Sequence, residues 1–214
     1  MLRFAHSPPP APCPVSTVVD TLGGKPAASK RTEAVVLLSG GLDSSGALRY
    51  SLSRGWETTA FFIDYGQPAA PRESQASRLV SEHFGVRLVR VNASGLRIPD
   101  QGEIRGRNAW LIQTALMASH IEVGLIVVGF HSGTPYVDCS PEFASAMDEL
   151  LGLQTHGVIK LFAPFLHWSK RDIWDYCKNE GVPVDITYSC ELGVDQPCGK
   201  CASCEDLRAL RAGA

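Results

Sequence analysis

The chain has 214 residues, 44% of them hydrophobic and 20% charged, which is enough for one α/β domain with a small appendage. Its net charge of −2 argues against a general electrostatic affinity for nucleic acid or membrane surfaces. No apolar stretch approaches the roughly 18 residues of a membrane helix, and residues 1–30 hold no continuous apolar run typical of a signal peptide. We therefore expect a cytoplasmic protein.

Residues 1–30 are rich in proline and glycine, including Pro8-Pro9-Pro10 and Gly23-Gly24. This composition predicts a disordered or loosely attached tail. We expect the main domain to occupy residues 31–185 and a metal-binding segment to occupy residues 186–214.

Strands and helices are predicted to alternate after the tail. Apolar runs predict strands at 34–38, 58–64, 86–91, 125–130 and 158–162, and helical patterns fall at 44–52, 74–84, 108–120, 141–151 and 169–180. This alternation predicts an α/β fold with a doubly wound, mainly parallel sheet. Ligands of such sheets bind beyond the carboxyl ends of the strands, where Ser39, Asp64 and Gly129 fall.

A glycine-containing turn connects the first strand to the first helix. It reads Ser39-Gly40-Gly41-Leu42-Asp43-Ser44, with Ser44 expected near the helix N-cap. A strand, a glycine turn and a helix N-terminus form a concave array of N–H groups that suits a phosphate, although this is not a Walker A loop. Asp43 would repel the anion unless a cation lies between them, so we expect Mg²⁺. The alternative is a surface turn without a ligand.

Four of the seven cysteines lie close together near the C-terminus, at Cys190, Cys198, Cys201 and Cys204. In a cytosolic α/β protein such a cluster favours a metal site over disulfides. Four sulfur ligands leave no open coordination position, so we predict structural Zn²⁺. An iron–sulfur cluster and four unliganded thiols are the alternatives.

The turn resembles the pyrophosphate-binding (PP-loop) motif of ATP pyrophosphatases. Together with further motifs, it makes the chain similar to the 7-cyano-7-deazaguanine synthase (QueC-like) family, from Val35 to about Arg208. Those motifs are Asp64-Tyr65-Gly66-Gln67, Gly106-Arg107-Asn108, Asp138-Cys139, Pro141-Glu142-Phe143, Ser169-Lys170 and the cysteine cluster. The resemblance implies a Rossmann-like fold of the adenine nucleotide alpha hydrolase type, a zinc-bound C-terminal segment and a homodimer.

The resemblance also implies an ATP-dependent C–N ligase. It would adenylate 7-carboxy-7-deazaguanine, add ammonia to give the amide, and use a second ATP to dehydrate the amide to the nitrile. Pyrophosphate and Mg²⁺ would be held by Ser39, Gly40, Gly41, Leu42, Asp43 and Ser44, and the nucleotide also by Asp64 and Tyr65.

Three further positions are assigned to the substrates by the resemblance. Arg107 and Asn108 would offer a guanidinium and an amide to phosphate or carboxylate, unless they are a surface arginine and an N-cap asparagine. Asp138 would accept hydrogen bonds from a guanine-like base, unless it caps the helix at Pro141. Lys170 begins a helix, where a cation is unfavourable, and so would point at phosphate. With Asp43, Lys170 and Arg107 form the expected catalytic set, which acts by charge neutralisation and positioning.

The chain departs from the family pattern in the loops that are expected to line the acceptor side. Pro68-Ala69 replace an Arg-His pair, Arg105 replaces a proline, and residues 129–139 form a shortened loop. We therefore keep the alternative that the activated carboxylate is coupled as an amide to another amine, such as a protein amine. His131 would deprotonate that amine, unless it is a structural loop residue.

Two rival functions come from other classes. A tRNA-modifying PP-loop enzyme normally carries a basic RNA-binding region, which a pI near 6.3 argues against. A non-catalytic zinc-containing binding module would not need the intact Ser39–Ser44 loop.

Overall fold

The computed structural model describes residues 31–96, 98, 103–131 and 133–213. The predicted tail at 1–30 lies outside these residues, as do parts of the loops around positions 100 and 132. The sheet contains β1 (Glu33–Leu37), β2 (Glu57–Asp64), β3 (Leu88–Asn92), β4 (Gly124–Val127) and β5 (Ile159–Phe162). All four strand pairings are parallel, in the order β3-β2-β1-β4-β5. The predicted doubly wound, Rossmann-like α/β fold is confirmed.

Six helices lie among the described residues. They are α1 (Leu42–Ser53), α2 (Ala70–His83), α3 (Arg107–Ala118), α4 (Pro141–Gln154), α5 (Lys170–Asn179) and α6 (Ala202–Ala212). Short 3₁₀ turns occupy Val137–Cys139 and Val184–Ile186. None of the helices in the described part of the chain is long and apolar enough to cross a membrane.

Helices cover both faces of the sheet, and the side chains of β1 pack alternately against one face's helices and the other's. Val36 packs in one apolar cluster with residues of α1, α2, α5 and α6, whereas Val35 packs in a second cluster with α3 and α4. Since successive side chains of a strand point to opposite faces, the run Ala34–Leu38 serves two cores at once.

The helix boundaries differ from expectation at two places that matter for the site. Helix α1 begins at Leu42, two residues before the predicted start, and Gly41 rather than Ser44 is its N-cap. Ser44 lies in the first turn, where its hydroxyl donates to the Gly41 carbonyl at 3.1 Å. Helix α2 begins at Ala70 rather than at Ser74, because Pro71 fits the first turn of a helix.

The strand order reverses beside β1, which pairs with β2 on one side and with β4 on the other. A crevice opens at the carboxyl ends of the strands at such a reversal. Gly129, just beyond β4, keeps that crevice narrow, because a Cβ there would lie 2.8 Å from the Asp43 carbonyl carbon. The chain leaving β4 therefore runs directly against the start of α1.

A cluster of aromatic side chains, here called the aromatic seam, packs between α1 and α5; it consists of Tyr50, Phe165, Trp168 and Tyr176. Phe165 is fully buried, and its ring lies 5.5 Å from that of Tyr176 and 5.0 Å from that of Trp168. Gly46 permits the close approach of the two helices, since a Cβ there would lie 2.9 Å from the Cys177 sulfur. This packing places the start of α5 beside the start of α1.

Candidate active site

The Ser39–Ser44 turn is shaped by contacts that only glycine allows. Gly40 has φ +81°, and a Cβ on it would lie 2.5 Å from the backbone nitrogen of Ser77 in α2. Ser39 and Ser44 face each other across the turn, with hydroxyl oxygens 3.1 Å apart. The turn is thus clamped between α1 and α2, with its N–H groups at a helix N-terminus.

Asp43 and Lys170 form an ion pair at the open side of this turn. The Lys170 Nζ lies 2.7 Å from Oδ1 and 2.5 Å from Oδ2 of Asp43. A capping box between Ser169 and Asp172 starts α5 at Lys170, which directs the lysine at α1. Both side chains remain about one quarter exposed, so the pair is reachable by a charged ligand.

His131 lies beside this pair, in the loop that follows β4. Its Nε2 is 3.8 Å from Oδ2 of Asp43, and only 5% of the residue is exposed. Burial lowers the pKa of His131, and Lys170 adds to that effect, whereas Asp43 and Asp206 oppose it. The imidazole is therefore mostly neutral near pH 7.

A second polar cluster forms where α3 meets the 3₁₀ turn at Val137–Cys139. Asn108 donates from Nδ2 to the Asp138 carbonyl at 2.9 Å, and its backbone N–H donates to the Asp138 carboxylate at 3.3 Å. The Asn108 side-chain oxygen accepts a hydrogen bond from Arg107 Nε at 3.2 Å. Ser140 caps α4, and Gly106 is the N-cap of α3. The asparagine amide thus holds Asp138 and Arg107 together.

The end of β2 is organised by a chain of hydrogen bonds. Asp64 accepts from the Gly66 N–H at 3.0 Å, and Gln67 accepts from the Tyr65 N–H at 2.9 Å. Gln67 in turn donates to Glu73 of α2 at 2.8 Å. Burial raises the pKa of Glu73, which the glutamine hydrogen bond and Arg107 oppose. These contacts hold Tyr65 edge-on against Trp110, with ring centroids 6.0 Å apart.

One cavity of about 570 Å³ joins the two polar clusters. Most of the predicted site residues line it: Ser39, Gly41, Leu42, Asp43, Ser44, Tyr65, Arg107, Asn108, Asp138 and Lys170. Gly40 packs against α2 and does not line the cavity. Asp64 lines a separate depression with Gly66 and Asn92. The cavity is large enough for a nucleotide-sized ligand.

The four clustered cysteines converge as the spacing predicts. Their sulfur atoms all lie within 4.8 Å of one another, and Cys198 accepts hydrogen bonds from the N–H groups of Lys200 and Cys201 at 3.5 and 3.4 Å. Such N–H···S bonds stabilise thiolates, and about 2.3 Å metal–sulfur bonds suit a tetrahedron of this size. This donor set fits a structural metal ion.

The segment after α5 supplies site residues that the sequence interpretation missed. Tyr188, Ser189, Glu191, Ser203 and Asp206 all line the cavity, so the cysteine segment is one of its walls. Helix α6 itself was not predicted, although Cys204, Leu207 and Leu210, none of them exposed, recur every three residues, a spacing typical of a helix. Glu73 also lines the cavity and was likewise overlooked, because a lone glutamate in a helix carries no signal that it faces a site.

Comparison with known proteins matches nearly the whole described chain to one family. The model of the queuosine biosynthesis protein QueC matches residues 33–102 and 98–212. A 7-cyano-7-deazaguanine synthase from Aquifex aeolicus is 33% identical over 205 residues, covering 82% of this chain and 94% of that protein. One from a Sulfurihydrogenibium species is 34% identical, covering 82% and 92%. Among solved structures, the NMN synthetase of Francisella tularensis matches with a TM-score of 0.46 and 19% identity over 79% of this chain and 71% of that one.

Proposed function

We propose, because the chain belongs to the QueC family of queuosine biosynthesis proteins, that it converts 7-carboxy-7-deazaguanine to 7-cyano-7-deazaguanine. A carboxylate oxygen would attack the α-phosphorus of ATP and release pyrophosphate. Ammonia would then attack the acyl adenylate, releasing AMP and a proton and leaving the amide. A second ATP would activate the amide oxygen, whose departure with the loss of two protons gives the nitrile.

The residues of the Ser39–Ser44 turn, here called the phosphate loop, suit the first step. The N–H groups of Gly41 and Ser44 would bind the pyrophosphate oxygens, and Lys170 would neutralise charge that develops on them. Asp43 would hold Mg²⁺, which supplies further charge neutralisation at the phosphates. Arg107 would bind the carboxylate or the α-phosphate, and Asp138 would accept N–H groups of the deazapurine.

The observation that carries this proposal is the single cavity that joins the Asp43–Lys170 pair to the Arg107–Asp138 cluster. Attack on the α-phosphorus requires the carboxylate and ATP to lie side by side. A cavity with phosphate-binding groups at one end and a base-binding carboxylate at the other supports that arrangement. We propose Zn²⁺ as the ion of the four cysteines, and the homodimer remains a prediction.

Substrate-dependent ATP–pyrophosphate exchange tests the proposal. We expect exchange only when 7-carboxy-7-deazaguanine is present, and a loss of at least about 100-fold in Asp43→Asn. Asp175→Asn, a matched change at an exposed aspartate of α5, should exchange like the wild type. Exchange without a deazapurine, or at full rate in Asp43→Asn, would contradict the assignment.

The alternative product is an amide with another amine, such as a protein amine. It is supported by the altered positions, since Pro68, Ala69 and all described residues of the shortened 129–139 loop except Val137 line the cavity. Mass spectrometry of the product formed with ATP and ammonium distinguishes the two. Nitrile with two ATP consumed per product supports the synthase, whereas accumulation of the activated acid or of an amide supports the alternative.

A further inference from the structure

We infer that the four-cysteine segment positions the phosphate loop, so that metal binding at the cysteines and phosphate binding at the loop strengthen each other. The contact that links them is the backbone N–H of Tyr188, which makes Tyr188 a positioning residue. The inference rests on the proposed function in one respect, which is that the ligand of the loop is taken to be a pyrophosphate group.

The link is a direct hydrogen bond between the two segments. Tyr188 donates its N–H to the Gly40 carbonyl at 2.9 Å. Tyr188 and Ser189 also lie against the next residue of the loop, because a Cβ on Gly41 would lie 3.5 Å from the Tyr188 carbonyl oxygen. Cys190, two positions after the donor, is the first of the clustered cysteines.

This hydrogen bond sets the direction of a phosphate-binding group. In a trans peptide unit the carbonyl and the following N–H point to opposite sides, and the described chain has no cis peptide. Holding the Gly40 carbonyl against Tyr188 therefore aims the Gly41 N–H away from the cysteine segment, toward Ser39 Oγ at 3.4 Å. Because Gly41 lines the cavity and its bond to Ser39 Oγ is long, a phosphate oxygen could replace that hydroxyl as the partner of the N–H.

The rest of the segment is held by contacts on both sides of Cys190. Gly193 has φ +68° and packs so tightly that a Cβ there would collide with the Pro68 carbonyl. Tyr188 Oη donates to the Val194 carbonyl at 2.8 Å. Glu191 accepts from the Ser203 hydroxyl at 2.9 Å, at the first turn of α6. The chain between the loop contact and α6 is short and irregular, so a metal ion at its cysteines restricts it and thereby the Tyr188 N–H.

A pair of substitutions at Tyr188 isolates the N–H from the ring. Tyr188→Pro and Tyr188→Ala both lose the ring, but only proline loses the donor. Thr187 has ψ 152°, which suits a residue before proline. We expect Tyr188→Pro to bind Mg·pyrophosphate at least about fivefold more weakly than Tyr188→Ala by calorimetry, with one zinc per chain in both variants. Equal affinities would overturn the inference.

Zinc release provides the reciprocal measurement on the wild-type chain. If the sites are coupled, saturating Mg·pyrophosphate should slow the loss of zinc to a chelator by about fivefold or more. Asp43→Asn, tested in parallel, reports any direct effect of pyrophosphate on zinc or on the chelator. An unchanged rate in the wild type would overturn the inference, and this measurement decides the matter if Tyr188→Pro does not fold.

The outcomes separate this inference from the proposed function. Coupling without deazapurine-dependent exchange would contradict the proposed function alone. Deazapurine-dependent exchange with equal pyrophosphate affinities in the two Tyr188 variants would contradict the coupling alone. A wild-type chain that binds no pyrophosphate would contradict both.

Discussion

Asp43 illustrates how one side chain acquires its role from three separate elements. The carboxylate belongs to α1, its cation Lys170 begins α5, and His131 approaches it from the end of β4. A lysine at a helix N-terminus opposes the helix dipole, and a carboxylate partner offsets that cost. Under the proposed function, a bound phosphate would replace Asp43 as the anionic partner of Lys170 with little movement of the lysine.

Glu73 provides a pH-dependent prediction at the same scale. Because burial raises the pKa of Glu73 in the folded chain, the group favours folding least when it is ionised, and its contribution to the free energy of unfolding falls as pH rises above its ordinary pKa. Glu73→Gln keeps an acceptor for Gln67 and removes a partly buried charge. We expect urea unfolding to show the variant gaining stability relative to the wild type between pH 4.5 and pH 7.5.

The matched control for this prediction is Glu82→Gln, an exposed glutamate of the same helix paired with Arg78. It should lose a few tenths of a kcal/mol, about the value of an i,i+4 ion pair, with no comparable gain toward high pH. If the stability difference between Glu73→Gln and the wild type does not change with pH, ionisation of the Glu73 carboxyl group does not destabilise the folded chain, and the prediction is wrong.

At the scale of elements, the Ser39–Ser44 turn depends on a contact with α2. Gly40→Ala should cost about 1–2 kcal/mol for its left-handed backbone and a further amount for the collision with the Ser77 nitrogen. Gly55→Ala has a similar positive φ of +71° with nothing within 4 Å, so it measures the backbone cost alone. Urea unfolding of both variants should show the larger loss in free energy of unfolding for Gly40→Ala. Equal losses would contradict a tight contact between Gly40 and α2.

The elements that could be predicted are those whose signals are local. The buried run at β1, the Ser169 cap of α5 and the proline at the start of α4 all lie in the sequence beside the element they specify. The same holds for the cysteine spacing. By contrast, the Tyr188–Gly40 hydrogen bond joins backbone atoms far apart in sequence, and no side-chain pattern encodes it. Likewise, the sequence indicates that Asn108 offers an amide group, but it does not indicate that Asp138 and Arg107 are the partners of that amide.

For the molecule as a whole, the aromatic seam between α1 and α5 is a main source of stability. Phe165 is fully buried, with Tyr50, Trp168 and Tyr176 around its ring. Phe165→Ala should lower the free energy of unfolding by about 3–5 kcal/mol, measured by urea unfolding. Val137→Ala, at a position that is 74% exposed, should change it little. A small loss for Phe165→Ala would mean that the seam rearranges to fill the space.

A cysteine between α1 and α5 can report when these two helices separate. The Cys177 thiol is sealed between Gly46 and Leu42, and burial raises its pKa to about 12. A thiol with so little thiolate and no exposed surface reacts with an alkylating reagent only after α1 and α5 separate. Its labelling rate, followed by peptide mass spectrometry, therefore reports how often the two helices that carry Asp43 and Lys170 part from each other in the native protein.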